Sequence, residues 1–211
     1  MVVQTDSSIQ ETTLDPTALT AARRGAVYGW ISILLWVLLG IDSIVRPIQD
    51  DRREIFWWFP YLFMMLTIIA VHRVQRRADR RLENITFWVV MIAWVLVLMG
   101  NLGLVFHVPA LLPLGFPGGA IVGAMGLIVY GVATWRARVL PWYAGLGLIL
   151  WEPGSIATGL LLAPISPLRD RGSYSAGLWK GFAIGMVTMG LYTITKARLR
   201  QQADGVPADS R

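Results

Sequence analysis

Six apolar runs, each about as long as a lipid bilayer is thick, constrain this chain more than any other feature. They cover residues 26–45, 55–71, 85–106, 118–135, 142–163 and 174–195. A helix rises about 1.5 Å per residue, so crossing about 30 Å of hydrocarbon takes roughly 20 residues. Buried helices of a soluble domain would scatter in length, whereas these cluster at the bilayer value. The expected fold is therefore all-α, a polytopic membrane protein of six transmembrane helices. Residues 16–200 form the bundle, with 1–15 and 201–211 as disordered cytoplasmic tails. Composition points the same way. Of 211 residues 55% are apolar and only 15% charged, against about 25% charged in a soluble domain, which is too few to wet a globular surface. No run has the short apolar stretch and small-residue cleavage site of a signal peptide, so the first is expected to be a retained helix. Asp15-Pro16 reads as an N-cap followed by proline at the first helical position, which starts that helix near Pro16.

Direction follows from lysine and arginine in the short connections. One side holds Arg23, Arg24, Arg73, Arg76, Arg77, Arg80, Arg81, Arg136, Arg138, Lys196, Arg198, Arg200 and Arg211, and the other holds Arg46, Arg52, Arg53, Arg169 and Arg171. The imbalance places both termini in the cytoplasm. It also accounts for the net charge of +6 without nucleic acid as a partner. With no cysteine and two histidines, disulfides, cysteine-based zinc or iron–sulfur centres and thiol nucleophiles are excluded. No metal site and no cofactor is expected.

Between the third and fourth runs, residues 108–119 are uncharged, apolar and broken by Pro109, Pro113 and Pro117. Irregular backbone at depth is tolerated only where protein or water satisfies it, so this segment reads as a cap over an outward-facing cavity. Small residues let membrane helices approach closely. Gly119, Gly123, Gly126 and Gly131 in the fourth run, Gly145, Gly147, Gly154 and Gly159 in the fifth, and Gly177, Gly181 and Gly185 in the sixth predict a tightly packed half. The first three runs are expected to pack more loosely. The glycine faces of the fourth and sixth runs also suit a homo-oligomer or a membrane-protein partner. The stretch from Gly123 to Gly147, with Arg136-Ala-Arg138-Val-Leu140-Pro141 at its turn, resembles a hairpin common in small bacterial multi-span proteins. The resemblance covers about 25 residues of the chain; it implies a bacterial inner-membrane protein and carries no activity.

Ionisable groups inside spans are costly and mark candidate sites. Glu152 lies near the middle of the fifth run in Trp151-Glu-Pro-Gly-Ser155, where Pro153 frees a carbonyl near Ile149. A broken helix beside a mid-depth carboxylate is the pattern of a binding site; a proline kink, or a structural clamp with Lys180, is the other reading. Lys180 pairs with Glu152, binds an anion, or reaches out to headgroups. Asp42 either contributes to the same site or pairs with Arg46 four residues on. Asn101 reads as an interhelical hydrogen-bonding group and His107 as an interfacial residue at a helix end. Trp151 and Trp179, each preceding an ionisable residue, either line a cavity for an apolar ligand or fill volume. Ser155 completes the candidate ligand-binding set of Asp42, Asn101, His107, Trp151, Glu152, Ser155, Trp179 and Lys180. Trp57, Trp58 and Tyr61 on one side, and Trp135, Trp142 and Tyr143 on the other, read as interfacial belts, and His72 belongs with the basic loop.

Three functions fit these features. One is a membrane protein that binds or moves a lipid or other amphiphile in a polar pocket in the outer half of the bundle. Another is a membrane-embedded enzyme acting on an isoprenoid-type substrate, with Glu152 as general acid or base. The third is a non-catalytic subunit of a membrane complex. The sequence holds no phosphate loop, no Gly-x-Ser-x-Gly elbow and no His-Glu-x-x-His pair.

Overall fold

The computed structural model describes residues 16–45, 55–76, 81–162, 164 and 172–203. Seven α-helices make up nearly all of them: α1 (Pro16–Val45), α2 (Trp58–Gln75), α3 (Arg81–Val105), α4 (Ala120–Ala137), α5 (Trp142–Ile149), α6 (Trp151–Leu162) and α7 (Gly172–Ala203). No strand occurs among the described residues. Three stretches are long and apolar enough to cross a membrane: Pro16–Asp42, Arg81–Val105 and Pro109–Ala137. A fourth is the α5–α6 pair, bent by 57°, if it counts as one span. α2 and α7 are not among these. His72, Arg73 and Gln75 close α2, and α7 carries Lys180 and a polar final stretch.

Contacts follow one order round the bundle: α2, α1, α7, the α5–α6 pair, α4, α3 and back to α2. α1 and α7 run antiparallel, with Gly25 against Leu191, Gly29 against Thr188 and Gly40 against Leu178. α4 and α5 touch backbone to backbone. A β-carbon at Gly131 would lie 2.8 Å from the Gly145 carbonyl oxygen, and one at Gly145 would lie 2.8 Å from that of Gly131. Backbone atoms cannot step aside, so only glycine permits this approach.

Two expectations about packing change here. Gly177 and Gly181 face Trp36 of α1, and Gly123 and Gly126 face Trp94 and Val90 of α3. The glycine faces of α4 and α7 are therefore covered within the chain, and a partner docking through them would find them occupied. α1, expected to pack loosely, meets α7 closely because its own Gly29 and Gly40 lie in the seam, while Gly25 admits Ala70 of α2 as well as Leu191.

The outward surfaces are apolar: Leu34, Leu38 and Ile41 on α1, Trp88 and Ile92 on α3, Ile121 and Met125 on α4, Ile156 and Leu160 on α6 and Phe182 on α7 are all exposed. Inside lie Ser32, Thr67, Gln75, Glu83, Thr188 and Lys180. A surface this apolar in water would far exceed the patches that soluble monomers expose.

The break in the fifth run falls at Leu150, three residues before Pro153. Proline is tolerated in the first turn of a helix, and its ring excludes the carbonyl four residues back; α6 therefore starts at Trp151 with Pro153 in its first turn. α3 ends on His107, which is left-handed at φ 54°. Val108 N–H donates to the Gly103 carbonyl at 2.8 Å and His107 N–H to that of Leu104 at 3.3 Å, the paired bonds that close many helices. The chain then doubles back. A short 3-10 turn (Pro109–Leu111) leads into a kinked segment (Leu114–Gly119); Gly115 sits on Gly100, and Gly119 on Ala93 and Val97. The segment expected to cap a cavity is instead laid along the last three turns of α3 and feeds directly into α4. α7 continues to Ala203, into residues expected to be a tail. The expected tail 1–15 and residues 204–211 lie outside the described residues, as does Arg46, the expected partner of Asp42.

Candidate functional site

Four elements converge on Lys180. α7 places it two turns inside the bundle, beside the bend between α5 and α6, where Glu152 opens the first turn of the second piece. Its ammonium lies 3.3 Å from Glu152 Oε1 and donates to the Tyr61 hydroxyl at 3.2 Å. Nζ also stands 5.3 Å, 5.6 Å and 5.5 Å from the ring centres of Trp36, Trp57 and Tyr61. The negative faces of aromatic rings attract a cation within about 6 Å, so these rings hold whatever charge the carboxylate leaves uncompensated. The rings brace one another: Trp36 meets Trp57 edge-on at 5.1 Å and Tyr61 at 5.2 Å, while Trp57 stacks on Tyr61 at 5.9 Å. Trp151, fully buried, meets Trp36 edge-on at 6.2 Å.

Burial across the pair is unequal. The Lys180 side chain is 8% exposed and that of Glu152 22%. The ammonium is enclosed; the carboxylate keeps an open edge.

The bend is held by Trp179. Its indole N–H donates to the Leu150 carbonyl at 2.8 Å, and the ring lies so close over Gly154 that a β-carbon there would overlap it. Trp179 thus serves the backbone at the break, at the carbonyl adjoining that of Ile149, and its polar atom is directed there.

Of the eight candidate residues, Trp151, Glu152 and Lys180 come together, with Trp179 bracing them. Ser155 is buried one turn beyond Trp151. Asn101 accepts a hydrogen bond from the Trp58 indole, an interhelical contact as expected. Asp42 is half-buried near the end of α1, six residues and hence about 9 Å along the axis beyond Trp36. His107 is exposed, caps α3 and points into no cluster.

Sequence reasoning missed Trp36, Trp57 and Tyr61. The last two were expected in an interfacial belt, yet they face inward, with Tyr61 buried. Their separation of four residues puts both on one helical face, and a lysine in an apolar run needs such a face; the two signals together point to the cage. Trp142 and Trp135, by contrast, are exposed as a belt requires.

A second polar cluster lies toward the opposite end, near the α2–α3 connection. His72 Nδ1 and Glu83 Oε1 are 2.8 Å apart, Glu83 is buried, and the imidazole stacks on Phe87 at 4.0 Å. His72 therefore does not belong with the basic loop, and Glu83 joins the acidic residues inside the bundle. Thr134 donates to Gln75 Oε1 at 3.4 Å. Gln75 Nε2 and the Tyr130 hydroxyl are buried without a hydrogen-bond partner, the latter close to Glu83. Among the described residues no group of three histidine or acidic side chains is placed to hold a metal ion.

The chain matches no protein-family model, no curated protein and no solved structure. What it does must be read from these residues.

Proposed function

We propose that this chain is an integral protein of a bacterial inner membrane, with six spans and both termini cytoplasmic, that binds or moves a lipid or other amphiphile at the Glu152–Lys180 pair. The apolar exterior supports the membrane assignment. α2 and α7 lie side by side with helices long enough to cross and pack along them antiparallel, so they take the same path. The direction rests on the excess of arginine and lysine at one end. Because the chain has no cysteine, Ala110→Cys and Arg136→Cys, both at exposed positions, give a clean test. An impermeant thiol reagent applied to intact cells labels Ala110→Cys and spares Arg136→Cys; the reverse pattern sinks the orientation.

The ligand reading is carried by one observation: a carboxylate at the bend of a broken helix keeps an open edge while its partner ammonium is enclosed. Broken helices beside buried charge are where membrane proteins place binding sites. Mass spectrometry of lipids that co-purify with the wild type and with Glu152→Gln tests it. A specific lipid present in the first and missing from the second supports binding, and identical profiles overturn it. The structural reading, an internal clamp in a non-catalytic subunit, is favoured by the fact that each charge finds its partner within the chain. It predicts loss of stability in Glu152→Gln with no change in bound lipid.

A further inference from the structure

Among the described residues, the groups in contact with Lys180 Nζ are all suited to a positive charge. Glu152 Oε1 and the Tyr61 hydroxyl oxygen accept its protons, and the faces of Trp36, Trp57 and Tyr61 surround the rest. Those two acceptors and three rings would serve an unattached ammonium equally well, since nothing in them depends on the lysine's attachment to α7. The lysine already gives two of its three N–H groups to these oxygens and its side chain is only 8% exposed, so it offers an incoming anion little. The open edge is on the carboxylate, which attracts a cation. Two acceptors set at 3.2 Å and 3.3 Å also require N–H groups. A trimethylammonium would satisfy the rings but leave both oxygens without donors.

We propose that this cage is a receptor for the primary ammonium headgroup of an amphiphile, and that Lys180 occupies it as a tethered stand-in when no ligand is bound. The proposal rests on the amphiphile-binding reading above and names its chemistry. The headgroup enters past the exposed edge of Glu152, exchanges with the lysine ammonium on the same acceptors, and leaves its chain among the apolar outer surfaces of α6 and α7, where Ile156, Leu160 and Phe182 are exposed.

Competition makes the test specific. A ligand that must displace an internal competitor binds more weakly by the fraction of time the site is free, so removing the competitor strengthens binding. The full chain, purified in a neutral detergent, is titrated with dodecylammonium, dodecyltrimethylammonium and dodecyl sulfate, reading tryptophan fluorescence and the thermal midpoint. Wild type is expected to bind dodecylammonium in preference to the other two. Lys180→Ala is expected to bind it at least tenfold more tightly, and Lys180→Ala/Glu152→Gln to lose that gain. Should Lys180→Ala be too unstable to purify, purification with n-propylammonium, which replaces the deleted atoms, is expected to restore it, and n-propanol is not. Equal response to all three amphiphiles, no gain in Lys180→Ala, or rescue by n-propanol as well as n-propylammonium overturns the proposal. If a lipid without a primary amine co-purifies with wild type and is lost from Glu152→Gln, the amphiphile reading stands and the ammonium assignment fails. If no lipid distinguishes those two proteins and dodecylammonium has no effect, both fail.

Discussion

The unequal burial of Glu152 and Lys180 predicts an unequal cost for removing each. Glu152→Gln keeps the volume but strands an ammonium whose side chain is 8% exposed. Breaking a buried pair by removing one partner costs about 3–5 kcal/mol, because the remaining charge stays out of water. The glutamine carbonyl still accepts a hydrogen bond and the three rings remain, so the lower end, about 3 kcal/mol, is expected. Lys180→Met leaves a carboxylate whose side chain is 22% exposed and so is less enclosed than the ammonium. The thioether also packs well among aromatic rings, so about 1 kcal/mol is expected. The double variant carries neither charge and should be no less stable than Lys180→Met. At about 2–4 °C per kcal/mol for a chain of this size, Glu152→Gln should melt about 6–12 °C lower and Lys180→Met about 2–4 °C lower. Thermal unfolding of the four proteins by circular dichroism in one detergent measures this cycle. If Lys180→Met is the worse of the two, or if the single effects add in the double variant, the ion pair does not hold the site together as described.

Four further single substitutions and one double variant probe the packing. Gly131→Ala should destabilise by about 1–3 kcal/mol, because its methyl meets the Gly145 carbonyl oxygen and Ile149. Gly185→Ala meets only the Ile33 side chain at 3.8 Å and should be neutral or gain up to about 1 kcal/mol of helix propensity; equal effects in thermal melts would contradict the backbone contact between α4 and α5. Gly154→Ala should lower the midpoint by displacing the Trp179 indole, and Gly154→Ala/Trp179→Phe should recover part of it by making room. A double variant worse than the sum of both singles would remove Trp179 as the brace of the bend. Tyr130→Phe deletes a buried hydroxyl without a partner and should change stability by less than about 1 kcal/mol in either direction; a larger loss by the same melts would mean that the hydroxyl is bonded after all.

Much of this architecture was legible from residue order because a bilayer imposes simple rules on length and polarity. Apolar runs located the helices. Pro153 marked the broken element, though not the residue at which it breaks; Asp15, the expected N-cap of α1, lies outside the described residues. Glu152 and Lys180 stood out because charge in an apolar run is rare and costly. Glu83 did not, since it sits at a helix start where an acidic residue is ordinary, and its pairing with His72 depends on how α2 and α3 meet.

What determined the helices and marked the two charges was local sequence: run length, proline, and the cost of an ion among apolar neighbours. What only the tertiary structure decided was who meets whom. A tryptophan at a helix end reads the same whether it faces lipid, water or a lysine more than a hundred residues away. Trp57 and Tyr61 turn inward because α2 packs against α1 where Trp36 is buried, and because α7 carries Lys180 to the same level. Pairing across a bundle depends on the rotation and register of each helix, which glycine contacts set and which no single run records.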